Sequence, residues 1–181
     1  MTARDALPPR VTVAPGGAVD RAAAFEIWRI ANTARRGGDP APQAHEDRVR
    51  RYLDLPHAFL HLARLDGEAV GMALAMQGLA ADGLGPPVPG LCHVGLVFVL
   101  PQHWGAGIGR MLVESVLREA ADRCYERAQI WTHLDNLRAQ RLYVRSGFTP
   151  TGRKKINDQG EAILQLARPL EVPNARRPRA E

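Results

Sequence analysis

Three alternating glycines stand out in the segment VFVLPQHWGAGIGR, which covers residues 97–110. An apolar stretch precedes them, and the helix-like stretch MLVESVLREA follows. Glycine lets a backbone approach a ligand closely, and the free N–H groups at the start of a helix attract anions. The segment therefore predicts a phosphate-binding loop, formed around Gly105, Gly107 and Gly109, between a strand and a helix.

Two common phosphate loops do not fit this segment. A nucleotide-hydrolysing loop ends in Gly-Lys-Ser/Thr, because the lysine and the hydroxyl handle the terminal phosphate and magnesium. Here Gly109 is followed by Arg110 and Met111. A dinucleotide fingerprint reads G-x-G-x-x-G near the start of its first βαβ unit, whereas this spacing is G-x-G-x-G past the middle of the chain. We therefore expect neither ATP hydrolysis nor a nicotinamide cofactor.

A third kind of loop, which holds the pyrophosphate of coenzyme A, does fit. The stretch QHWGAGIG (residues 102–109) matches the pattern Q/R-x-x-G-x-G/A. Downstream, NLRAQRLYVRSGF (residues 136–148) matches the pattern N-x-x-A-x-x-L-Y-x-x-x-G-F. With both motifs in this order, residues 58–168 resemble the GNAT superfamily of N-acetyltransferases, and the resemblance implies acetyl-CoA as the acyl donor.

The resemblance also assigns residues to the donor. In this family the strand before the loop offers backbone groups to the pantetheine arm, as if to an added strand. Asn136 and Tyr143 are seven residues apart, which is two helical turns or about 10.5 Å. Asn136 would then hold the pantetheine amides while the Tyr143 hydroxyl lies near the thioester sulfur. The implied donor-binding residues are Val97, Phe98, Val99, Gln102, His103, Trp104, Gly105, Ala106, Gly107, Ile108, Gly109, Arg110 and Asn136.

The implied chemistry is transfer of an acetyl group to a primary amine of a small molecule or a peptide terminus. Tyr143 would act as general acid toward the leaving thiolate. Many family members carry a glutamate base on the central strand, and the matching position here is His93. The base is therefore His93 or an ordered water, with His133 as a further candidate.

No metal is expected. His57 and His61 have no cluster of cysteines or carboxylates around them in the sequence, as a metal site would require. Acetyl transfer to an amine also does not need a metal ion. Three arginines are candidates for contact with phosphates, namely Arg110, Arg138 and Arg141. We favour Arg110 because it follows the loop directly.

Three alternatives stay open beside the acetyltransferase. The first keeps the fold but uses a longer acyl-CoA, and the second is a non-catalytic acyl-CoA-binding or sensor domain. The third is a basic nucleic-acid-binding module. Because the arginines are spread along the chain with few interleaved aromatic residues, no nucleic-acid partner is expected.

The chain of 181 residues carries a net charge of +5 and is long enough for one domain with a proper core. We assign residues 1–170 to that domain and residues 171–181 to a disordered basic tail. No stretch is apolar enough to cross a membrane, and the N-terminus has no apolar signal core, so a cytoplasmic protein is expected. Cys92 and Cys124 are too few for a disulfide framework and should be free thiols. A homodimer is compatible with the family, but no interface is predicted.

The pattern of apolar residues and turn signals predicts the elements that must position the site. Helices are expected at residues 20–36, 43–53, 108–123 and from Asn136 to the Gly147 turn. Strands are expected at residues 11–14, 58–65, 69–77, 91–99, 128–134, 148–152 and 162–167, with residues 78–90 irregular. This order predicts an α/β (mixed α+β) fold with helices on both faces of the sheet. The resemblance adds that the sheet is mostly antiparallel, with six to seven strands and a central parallel pair that splays apart, and that four helices cover it.

Overall fold

A single seven-stranded sheet organises the protein, whose computed structural model describes residues 10–171. The strand order is β1-β2-β3-β4-β5-β7-β6, and only β4 and β5 are parallel. The strands are β1 (Val11–Gly16), β2 (Phe59–Leu65), β3 (Glu68–Leu79), β4 (Pro87–Val99), β5 (Arg127–His133), β6 (Thr149–Ile156) and β7 (Ala162–Pro169). The helices are α1 (Arg21–Arg35), α2 (Gln43–Asp54), α3 (Ile108–Asp122) and α4 (Leu137–Arg145).

The predicted fold class is confirmed by this architecture. The sheet has seven strands and is mostly antiparallel, and four α-helices are present within residues 10–171. None of these helices is both long enough and apolar enough to span a bilayer. Beyond Glu171 the predicted tail lies outside the described residues, so its disorder stays a prediction.

Two apolar layers, one on each face of the sheet, hold the helices in place. The first packs α1 and α2 against the sheet around Trp28, Val49 and Met72. The second packs α3 and α4 against the opposite face and includes Leu112 and Tyr143. Because each helix buries one apolar face, the 3.6-residue pattern of the sequence is sufficient to place it.

A β-bulge at Gly95 changes the face of the sheet toward which alternate side chains of β4 point. Before it, Cys92 and Val94 point into the α3 layer, whereas Leu96 after it points into the α1 layer. The register between β3 and β4 shifts at this point, as one inserted residue requires. The pairing of β4 with β5 ends at Val94. The two parallel strands therefore separate from the bulge onward.

The separation exposes one edge of β4. The N–H of Leu100 donates to the carbonyl of Val70 on β3 at 2.9 Å. Since successive residues of a strand direct their backbone groups to opposite sides, Val97 and Val99 direct theirs away from β3. On that side β5 is no longer paired, and a gap opens between the strands.

The prediction that residues 78–90 are irregular is wrong for part of the stretch. β3 continues to Leu79 and pairs there with Pro87, the first residue of β4. The reason is a side chain that sequence patterns do not reveal. The Gln77 amide nitrogen donates to the carbonyl of Val88 at 2.7 Å and also contacts the carbonyls of Gly78 and Leu91. A side-chain donor thus stands in for backbone pairing where the strands are irregular. β6 is also longer than predicted, because it resumes after a register shift and continues to Ile156.

Substituting Gly78 should test this close packing of β3 on β4. A Cβ at Gly78 would come within 2.4 Å of Leu91 Cγ, and Leu91 is buried. We expect Gly78→Ala to lower the free energy of unfolding by about 1–3 kcal/mol, measured by urea denaturation. Gly17→Ala is the control, because a Cβ there meets nothing within 4 Å. Equal stability of the two variants would show that β4 shifts to relieve the contact.

Candidate functional site

A groove of about 560 Å³ lies beside the end of β4, beyond the last residue of β4 that pairs with β5. Its walls come from the end of β4, the glycine loop, α4 and one side of α1. The structure brings twelve of the residues predicted from the sequence to this groove: Val97, Phe98, Val99, His103, Trp104, Gly105, Gly107, Ile108, Gly109, Arg110, Asn136 and Tyr143. Gln102, Ala106 and His93 are not among the lining residues.

The glycine loop ends at the start of α3, as the sequence predicts. Gly107 is the N-cap of α3 and has φ +80°, a left-handed conformation that favours glycine. The carbonyl of Gly107 accepts from Met111 N–H and opens the helix. The free N–H groups of the first turn of this 15-residue helix lie beside the groove and carry its partial positive charge. This end of the groove is suited to an anion.

The exposed edge of β4 forms a second wall. Val97 and Val99 direct their backbone groups into the gap, as the hydrogen bond of Leu100 to β3 implies. One of these groups is already engaged, because the indole N–H of Trp104 donates to the Val99 carbonyl at 2.7 Å. The edge can pair with an extended ligand that carries amide groups.

Helix α4 supplies the third wall. The side chain of Asn136 accepts from the N–H of Ala139 at 3.1 Å and caps the helix. Tyr143 is buried, and burial raises the pKa of its phenol well above its usual range. The hydroxyl therefore stays protonated at neutral pH. Gln140, which sequence reasoning missed, ties α4 to the end of β5 by donating to the carbonyls of His133 and Leu134.

Five arginines line the groove, and among residues 10–171 no aspartate or glutamate joins them in its lining. They are Arg35, Arg110, Arg138, Arg141 and Arg145. Sequence reasoning considered three of them and missed Arg35 and Arg145, because α1 and the end of α4 reach the groove only through the fold. Low-dielectric walls strengthen the field of such a one-sign cluster. The groove is built for a ligand with several negative charges.

The side chain of His93 points to the face of the sheet that α1 covers, opposite to Cys92 and Val94. It is not among the residues that line the groove. Its Nδ1 is buried without a hydrogen-bond partner among the described residues. Burial, followed by the nearby Lys155, lowers the pKa of His93 to about 4. The neighbouring Cys92 is a buried free thiol whose pKa burial raises to about 12. These two residues point to opposite faces of the sheet.

His133 lies at the end of β5, next to a second cavity of about 480 Å³ that Glu161 also lines. Its Nδ1 is 3.5 Å from a Glu161 oxygen. Burial and then Arg35 lower the pKa of His133. Burial tends to raise the pKa of Glu161, but Asn157, His133 and Arg35 together lower it. Because Arg35 contacts Glu161 at 3.3 Å and also lines the groove, the two cavities share this wall.

His61 is a packed structural histidine. It is buried between β2 and α3, where Nδ1 is 2.7 Å from Ser115 Oγ and Nε2 is 2.5 Å from a Glu119 oxygen. Both ring nitrogens therefore have protein partners. Hydrogen bonding within the core accounts for this residue.

The arrangement defines a class of protein: a mixed sheet whose central parallel strands part around a groove for an anionic, amide-bearing ligand. A family model described as "Acetyltransferase (GNAT) family" matches residues 23–148, more than half of the chain. The chain therefore belongs to the GNAT family of acetyltransferases, as the two sequence motifs predict.

Individual relatives agree with the family. An uncharacterised N-acetyltransferase of Mycobacterium tuberculosis is 31% identical over 107 residues, which are 59% of this chain and 63% of that protein. A mycothiol acetyltransferase of Nocardiopsis dassonvillei is 32% identical over 117 residues, which are 64% of this chain and 32% of that protein. The matched region thus spans less than two thirds of these relatives.

Solved structures share the fold at low identity. The ribosomal-protein-S18-alanine N-acetyltransferase of Escherichia coli superposes with a TM-score of 0.70 at 17% identity, covering 93% of this chain and 99% of that one. The PaiA N-acetyltransferase of Thermoplasma acidophilum, solved with coenzyme A, gives a TM-score of 0.63 at 12% identity, covering 86% and 98%.

Acid should destabilise the protein through His93. Its pKa is about 4 in the folded state against 6.5 as the ordinary value, so the unfolded chain binds more protons between these pH values. The free energy of unfolding should then fall as the pH drops from 6.5 to 4, by up to about 3 kcal/mol from this residue. We expect His93→Gln to show a shallower loss, measured by urea unfolding at fixed pH steps.

The control for this pH series is His57→Gln, at an exposed histidine, which should follow the wild type. If His93→Gln also followed the wild type across the window, the surroundings of His93 would not lower its pKa as the structure indicates.

Proposed function

We propose that this protein transfers the acetyl group of acetyl-CoA to a primary amine of a small molecule or a peptide terminus. The observation that carries the proposal is the groove between β4 and β5. It joins a helix N-terminus, the free edge of β4 and five arginines, and no acidic residue of the described part of the chain lines it. Coenzyme A combines the matching features, namely several phosphates and an extended arm with two amides.

Each wall has a proposed part in holding the donor. The loop from Gly105 to Gly109 and the first turn of α3 would bind the pyrophosphate through backbone N–H groups. The edge at Val97 and Val99 would pair with the pantetheine arm. The side-chain oxygen of Asn136 already accepts the hydrogen bond that caps α4. Its NH₂ group would therefore be the part that binds the pantetheine arm.

The acetyl transfer itself needs a place for charge on two atoms. As the amine attacks the thioester carbonyl, negative charge develops on the oxygen, and the outward N–H of Val97 is the proposed donor to it. The carbon–sulfur bond then breaks, and the thiolate takes a proton. Tyr143 is the proposed source, because it lines the groove and its hydroxyl is protonated at neutral pH.

The attacking amine must first lose a proton. For a lysine-like amine with a pKa near 10.4, this costs about 4–5 kcal/mol at pH 7. Of the three candidates that the sequence suggests, namely His93, His133 and an ordered water, we favour ordered water over His93. A histidine with a pKa of about 4 holds a proton poorly at neutral pH, and His93 does not line the groove.

The acceptor would enter from the α1 side of the sheet. The groove reaches Ala31 and Arg35 of α1, and the cavity at His133 and Glu161 lies beyond the shared Arg35. One relative is a mycothiol acetyltransferase, and one solved structure of the same fold is a ribosomal-protein-S18-alanine N-acetyltransferase. The acceptor is therefore proposed only as a primary amine. The cytoplasmic location and the homodimer are separate predictions from the sequence.

Calorimetric titration with acetyl-CoA and with free coenzyme A tests the donor site. We expect a Kd in the range of ordinary substrate affinities, micromolar to millimolar, and its loss in Gly107→Trp, because an indole there fills the phosphate loop. Gly152→Trp is the matched control. It places the same side chain at a similar φ, +83° against +80°, with nothing within 4 Å of the Cβ in either case, but outside the groove. Absence of binding in the wild type would remove the acetyltransferase proposal.

Replacing the Tyr143 hydroxyl separates a catalyst from a binding domain. We expect Tyr143→Phe to bind coenzyme A like the wild type but to lower kcat by about 10²–10⁴-fold, measured by thiol release with a panel of amines. Retention of full kcat would mean that another group protonates the thiolate. If the wild type binds the donor yet acetylates no amine and hydrolyses no acetyl-CoA, the non-catalytic sensor becomes the better assignment.

A further inference from the structure

Trp104 makes two contacts that join opposite walls of the groove. Its indole N–H donates to the carbonyl of Val99 at the end of β4, at 2.7 Å. Its ring carries the guanidinium of Arg138, whose central carbon lies 3.7 Å from the ring centroid. Arg138 belongs to the first turn of α4, across the groove. One side chain therefore ties the strand edge to a cation on the far wall.

The charge of Arg138 is not met by a carboxylate. Among residues 10–171, the indole is the partner that the structure shows for this guanidinium, and no ion pair accompanies it. Arg110, which the sequence favoured, is different, because its guanidinium donates to Glu114 at 2.6 Å. Arg35 is likewise paired with Glu161. Arg138, unlike Arg35 and Arg110, has no carboxylate partner among the described residues.

Stacking orients a guanidinium without using its hydrogen-bond donors. The face of the group lies on the ring, while its N–H groups point outward in the guanidinium plane. A phosphate that arrives at that edge finds a fork of donors already fixed in direction, so less side-chain entropy is lost when the bonds form.

We infer that Trp104 is a positioning residue for the acyl donor. Its ring orients Arg138 toward a phosphate of the donor, and its hydrogen bond to Val99 fixes the ring at the edge of β4. This inference rests on the proposed function. It assigns the binding of this phosphate to Arg138 rather than to Arg110. It also predicts that an aromatic ring at position 104 increases the affinity for coenzyme A only when Arg138 is present.

The test is a set of coenzyme A titrations with variants at both positions. Arg138→Gln should weaken binding by about tenfold or more, because it removes charge-assisted hydrogen bonds. Arg51→Gln, at an exposed arginine of α2 outside the groove, is the matched control for the lost charge and should bind like the wild type.

Two variants at position 104 isolate the ring face. Trp104→Phe and Trp104→Leu both lack the indole N–H, so the bond to Val99 is lost equally in each. Only the phenylalanine keeps a ring on which Arg138 can stack. We expect the leucine variant to bind coenzyme A about three- to fivefold more weakly than the phenylalanine variant, and this difference to vanish when each is combined with Arg138→Gln.

Two results would overturn the inference while leaving the proposed function intact. One is binding by Arg138→Gln as tight as by Arg51→Gln. The other is an undiminished difference between the phenylalanine and leucine variants when Arg138 is absent, since the ring would then act by packing alone. Failure of the wild type to bind coenzyme A would instead remove the proposed function. Circular dichroism of each variant confirms that the titrations compare folded proteins.

Discussion

The end of pairing between β4 and β5 is the constraint on which the rest of the site depends. Two parallel strands that stayed paired would leave no backbone group free for a ligand and no space between them. The bulge at Gly95 ends that pairing, and its cost is contained because β4 remains bonded to β3 on its other side. The free edge of β4 and the groove beside it both follow from this one local irregularity.

The arginines of the protein fall into two groups with different physical roles. Outside the groove, several are matched by carboxylates, as in the pairs Arg21–Asp54, Arg64–Asp20 and Arg123–Glu119. Such surface pairs add little to stability. In the groove, five arginines share a lining to which the described residues contribute no carboxylate. Two of these five, Arg35 and Arg110, also have carboxylate partners, Glu161 and Glu114. The positive field of the groove therefore comes mainly from Arg138, Arg141 and Arg145.

Much of the fold and most of the candidate donor site could be predicted from the sequence, because both are encoded locally. The cap at Asn136, the left-handed turn at Gly107 and the apolar faces of the helices are properties of short stretches. What the sequence could not provide depends on contacts between distant residues. Gln77 orders a stretch that looks irregular by composition. Arg35 and Glu161 meet only because α1 ends beside the turn between β6 and β7. The burial of His93, which sets its pKa, likewise depends on the packing around it rather than on its place in the strand.

The groove does not stop at one face of the sheet: it begins at the positive loop beside α3 and reaches Ala31 and Arg35 of α1 on the other face. Under the proposed function, donor and acceptor therefore approach from opposite sides and meet in the gap between the strands. Neither has to leave before the other can enter, which suits a ternary complex with direct transfer rather than a relay through the protein. The two faces can also diverge independently. Substitutions on α1, α2 and the turn between β6 and β7 can select a new amine, while the loop and α4 continue to hold the same donor.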